Sequence, residues 1–60
     1  MKAVEAEEYA RKLKAAHGNQ ALAEVAQKAV MLEKSGQADE AKDWRQIEKA
    51  LLTMRGPGES

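Results

Sequence analysis

His17 is the only imidazole in the chain and the first place to look for chemistry. Histidine titrates near neutrality and ligates metals, so its functional readings are a proton carrier or a metal ligand, with Glu48 or another carboxylate as companion. Tyr9, two turns earlier on the same helical face, is the other polar group that a small-ligand or metal module would recruit. Holding a metal takes several ligands at fixed spacing, however, and no Glu-x-x-His or His-x-x-x-His pair accompanies His17. The structural reading puts this ring in the last turn of a helix, just before Gly18, where a basic side chain meets the negative end of the backbone dipole and covers the end of the core. No metal and no cofactor are expected.

Carboxylates are plentiful but fall where helices begin: Glu5, Glu7 and Glu8 in one group, Asp39, Glu40 and Asp43 in another. Acidic side chains there stabilise free backbone N–H groups, whereas a general acid/base pair needs two carboxyls in unequal environments facing one cleft. Ser35 adjoins a glycine turn, Thr53 sits late in a helical segment and Ser60 is terminal, so none has the setting of a nucleophile. There is neither a glycine-rich phosphate loop nor a G-x-S-x-G turn. No catalytic residue emerges, and the chain does not read as an enzyme.

The elements that carry these residues are marked out by glycine. Gly18, Gly36 and the Gly56-Pro57-Gly58 cluster are the only Gly or Pro positions, and the segments between them are free of helix breakers. Ala6, Tyr9, Ala10, Leu13 and His17 recur at spacings of three and four, as do Leu22, Val25, Ala26, Ala29 and Leu32, and then Ala41, Trp44, Ile47, Leu51 and Met54. Each set forms one face of an amphipathic helix. Glu7 with Arg11, Glu8 with Lys12 and Glu24 with Lys28 have the favourable acid-before-base order, and Asn19 is placed to cap the second helix. Helices are expected over about residues 2–17, 20–35 and 38–55, followed by a flexible tail at 56–60. Connections this short force neighbouring helices antiparallel, so the fold class is all-α, an up-down-up three-helix bundle forming a single domain over 1–55. A long helical hairpin completed by a second chain is the rival arrangement.

Composition limits the partners. Ten basic and ten acidic residues give a formal net charge of +0 over 60 residues, and the basic side chains are interleaved with acids on every helix. Nucleic-acid binding, driven by counterion release from a basic surface, is not expected. Nor is a membrane, since no apolar run approaches a span; the chain reads as cytoplasmic. Cysteine is absent, which removes disulfides and thiolate metal sites. Phe is absent as well, and twelve residues are alanine. A core this light in so short a chain is itself a reason to expect a second subunit.

Trp44 and Tyr9 are the only aromatics. Trp44 reads either as the heavy anchor of the third helix in the core or as an interface anchor, because Trp is enriched at binding hot spots. Val4, Val30, Met31 and Leu52 fall beside or opposite the main stripes. If Val30 and Met31 meet Leu52 across one groove, they form with Trp44 a candidate interface. The partner would be another protein or a second copy of this chain, as a homodimer or an accessory subunit.

Two resemblances accompany these residues. Gly36-Gln37-Ala38-Asp39-Glu40-Ala41, followed by Trp44 and Ala50, resembles the turn and second helix of a tetratricopeptide repeat. Trp44 arrives one position early, Glu48 stands where the repeat has alanine, and only one such unit fits. The wider pattern of Glu8-Tyr9-Ala10, His17-Gly18, Ala21 through Ala29, Gly36, Glu40-Ala41, Trp44 and Ile47 through Leu51 resembles short bacterial, mostly proteobacterial, three-helix proteins. That likeness covers about residues 5 to 55. It implies a bacterial helical domain and carries no activity with it.

Overall fold

The computed structural model describes residues 1–55, the Arg55 side chain excepted; the expected tail at 56–60 lies outside them. Three helices, α1 (Ala3–His17), α2 (Gln20–Lys34) and α3 (Ala38–Arg55), follow one another, with no strand among the described residues. They pack side by side as an all-α three-helix bundle. Ala, Glu, Lys, Gln and Leu dominate these segments, and each loses little side-chain freedom in a helix.

Both turns depend on glycine. Gly18 has φ +62°, and its N–H donates to the Lys14 carbonyl at 2.8 Å, closing the last turn of α1. Gly36 has φ +81° and occupies the left-handed position of a Schellman motif. There the Gln37 N–H donates to the Leu32 carbonyl at 2.9 Å and the Gly36 N–H to the Glu33 carbonyl at 3.3 Å. At the start of α1, the Lys2 N–H donates to the Glu5 carboxylate at 3.0 Å, one half of a capping box.

One expected cap does not form. Asn19 has helical backbone angles, φ −66° and ψ −18°, and its side chain makes no capping hydrogen bond. A side-chain cap requires an extended backbone at that residue, and the tight turn after Gly18 leaves no room for one. The Ala21 N–H donates instead to the Gly18 carbonyl at 3.2 Å.

The buried side chains are unevenly shared. Ala6 and Ala10 are all that α1 buries, whereas α2 buries Ala21, Val25, Ala29 and Leu32, and α3 buries Ala41, Ile47 and Leu51. Every buried residue larger than alanine therefore belongs to the α2/α3 hairpin. Leu13, Leu22, Trp44, Ala50 and Met54 pack against this core while remaining partly exposed. The α2/α3 seam is the most extensive of the three and the α1/α2 seam the least. Ala29 and Ala41 are buried in the hairpin as Ala6 and Ala10 are in α1, but only the hairpin adds larger buried side chains to them.

Candidate functional site

The aromatic residues meet across the seam between α1 and α3. Trp44 is half-buried, one side of it against the core, and the Tyr9 ring packs on it edge-to-face with centroids 5.7 Å apart and planes at 84°. From α2, the Lys28 ammonium lies 6.0 Å from the centroid of the Trp44 ring, at the outer limit of a cation–π contact. Trp44 is thus the point where side chains of all three helices touch. It is neither a wholly enclosed core residue nor a free surface anchor. Tyr9, on the apolar stripe of α1, remains 42% exposed because the stripe fans out beyond the narrow contact that α1 makes.

His17 ends α1, away from both expected companions, Tyr9 in the middle of that helix and Glu48 on α3. Its Nδ1 is 3.3 Å from a Glu24 carboxylate oxygen across the Gly18 turn, with both side chains nearly half exposed. Glu48 is occupied elsewhere, and eight residues of helix separate His17 from Tyr9 by about 12 Å along the axis. The structure therefore does not bring His17 and Tyr9 to one place. Among the described residues no group of three or more His, Asp or Glu side chains is arranged to hold a metal ion.

The outer side of the α2/α3 hairpin carries the most ordered polar arrangement. Arg45 donates from Nε and Nη2 to the two Glu33 carboxylate oxygens, each at 3.0 Å, and from Nη1 to Glu48 at 2.9 Å. This two-pronged hydrogen bond from Arg45 holds the Glu33 carboxyl below its ordinary range. The bonds to Glu33 and then Glu48 in turn raise Arg45 further above its own. The cluster clamps α2 to α3 just beyond the Gly36 turn.

Val30 precedes Glu33 by one turn of α2, and Leu52 follows Arg45 by two turns of α3, so both share this side of the hairpin. They are 37% and 50% exposed. Half-buried Ala26, a turn before Val30, extends the strip. Met31, 66% exposed, is different: it lies one turn beyond Lys28 and so belongs to the flank that faces Trp44 and α1. The four candidate interface residues thus divide into two pairs, Val30 with Leu52 and Met31 with Trp44. A single step of about 100° between Val30 and Met31 separates them.

Two shallow depressions flank α3. One, of about 430 Å³, lies between α1 and α3 over Ala6, Ala50 and Met54, with Glu7, Arg11 and Lys49 at its rim. The other, of about 540 Å³, lies over Ala38 and Ala41 beside Lys42, Arg45 and Lys49, and its one carboxylate, Glu33, is bound by Arg45. Neither holds two carboxyls that could divide acid and base roles between them.

Sequence reasoning passed over Glu33 and Arg45. Equal distance from the turn would not have found them: Glu33 lies three residues before Gly36 and Arg45 nine after it, and the pair forms through the axial offset of the two helices. Glu24 and Lys28, expected to pair within α2, turn instead to His17 and to Trp44. The Glu7–Arg11 and Glu8–Lys12 pairs likewise do not close among the described residues. No family model, curated protein or solved structure matches this chain.

Proposed function

We propose that this chain is a small non-enzymatic helical protein that acts through protein–protein contact, with a second copy of itself as the first partner. The observation that carries this reading is the side of the α2/α3 hairpin on which exposed Val30 and Leu52 flank the Glu33–Arg45–Glu48 cluster. Large aliphatic side chains held on a rigid hairpin lose little conformational freedom when they dock, and the clamp beside them offers directional polar contacts at the rim. A chain of net charge +0 also imposes no long-range repulsion on its own copies. The reading is one of interaction and carries no reaction with it.

Equilibrium sedimentation at micromolar concentration tests it. The native chain is expected to show a mass rising toward twice the monomer as concentration increases, and Leu52→Lys is expected to return it to monomer with its helix content unchanged. A native chain that stays monomeric throughout would overturn the self-association reading.

A further inference from the structure

The helix that contributes least to the core is joined to the rest by the shorter of the two turns. α1 buries two alanines, it meets α2 over the smallest of the three seams, and only Gly18 and Asn19 separate it from α2. Its seat on the hairpin, by contrast, includes the two largest fully buried side chains, Ile47 and Val25, together with Leu51 and the inner side of Trp44. We infer that α1 is an exchangeable helix, and that its seat accepts α1 of a second copy of this chain.

The physical argument runs through Gly18. With φ +62° it holds the turn closed in a conformation that L side chains rarely adopt, although a Cβ added there would meet nothing within 4 Å. Asn19 already has helical angles. Only Gly18 must change for α1 to run on into α2 as one long helix, which carries α1 away from its own hairpin and offers it to another. The occupant fits by construction, because Ala6, Ala10 and Leu13 remake in the partner the contacts they make at home. Reciprocal exchange closes as a two-fold dimer. Gly36 has the same class of φ and the same open surroundings, but it joins the two helices that share the largest seam, so opening there gives up far more. The inference rests on the self-association reading for the partner's identity, and differs from it in the surface used.

Native-state hydrogen exchange followed by NMR is the first test. In the native chain, α1 amides are expected to exchange at least about tenfold faster than the most protected amides of α2 and α3, through a sub-global opening. Equal protection in all three helices would overturn the inference. The second test compares Gly18→Ala with Gly36→Ala by sedimentation. Gly18→Ala, relieved of its positive φ and gaining helix propensity only in the open form, should raise the dimer fraction about tenfold, whereas Gly36→Ala should not. Failure of Gly18→Ala to dimerise, or equal dimerisation of both variants, would overturn it. Adding Leu52→Lys to Gly18→Ala separates the two proposals. A dimer that survives is an exchanged one; a dimer that dissolves uses the Val30/Leu52 surface, which leaves the self-association reading standing and removes the exchange.

Discussion

The α2/α3 hairpin and α1 are built from nearly the same residue types, yet they are held by different means. In the hairpin, Val25, Leu32, Ile47 and Leu51 are buried, a Schellman turn ends α2, and Arg45 ties the two helices together through Glu33. α1 has Leu13 and Tyr9 at the edge of the core and alanines at its centre, with an aromatic edge-to-face contact as its most specific link. Amphipathic periodicity is common to all three helices. What separates them is the volume of the side chains at the buried positions, and in so small a core a few methylene groups decide which helix is permanent.

The contrast breaks most readily at Ile47. With 1% of its surface exposed, Ile47→Ala leaves a cavity inside the hairpin and is expected to cost about 2–5 kcal/mol, enough to unfold a domain of this size, as read by urea denaturation. Leu13→Ala, partly exposed on α1, is expected to cost less than half as much; equal losses at the two sites would erase the distinction between the regions. Next comes Trp44→Ala, at about 2 kcal/mol, because half-burial roughly halves the area at stake. A double-mutant cycle with Tyr9→Leu should isolate a coupling of about 0.5–1.5 kcal/mol, and a coupling near zero would remove the aromatic link as the fastener of α1.

The smallest effect is a titration. Glu33 is held below its ordinary carboxyl value of 4.5 by the Arg45 hydrogen bond, so the pair's contribution is fully present above that value and fades as pH falls through the lower folded-state midpoint. The ¹³C carboxyl signal of Glu33 is expected to titrate below 4.5 in the native chain and to move up in Arg45→Met. Both groups are exposed, so little change in overall stability should accompany it.

Much of this architecture could be read from residue order. Gly18 and Gly36 mark the turns because only glycine tolerates the positive φ found at each, and the stripe through Ala41, Ile47 and Leu51 locates the buried face of α3. The candidate site was less legible for a geometric reason. Helical periodicity tells which residues share a face but not how wide a contact that face makes, so Tyr9 and His17 lie on the apolar stripe of α1 and are nevertheless exposed. Val30 and Met31 are neighbours in sequence that a single helical step sends to different sides. Cross-helix pairs such as Glu33 with Arg45 depend on the axial register of the hairpin, which only the geometry of the Gly36 turn fixes.

Trp44, touched by Tyr9 from one helix and Lys28 from another, also equips the molecule with its own optical gauge. As the only indole in the chain, it reports without any label, and it stands at the seam whose opening differs from global unfolding. Release of α1 would wet the side of the indole that α1 covers and remove the neighbouring phenol while leaving the helices intact. Emission would then shift to the red before the far-ultraviolet dichroism fell. The separation of those two signals along a denaturant gradient would measure, in one cuvette, how independently the first helix leaves the other two.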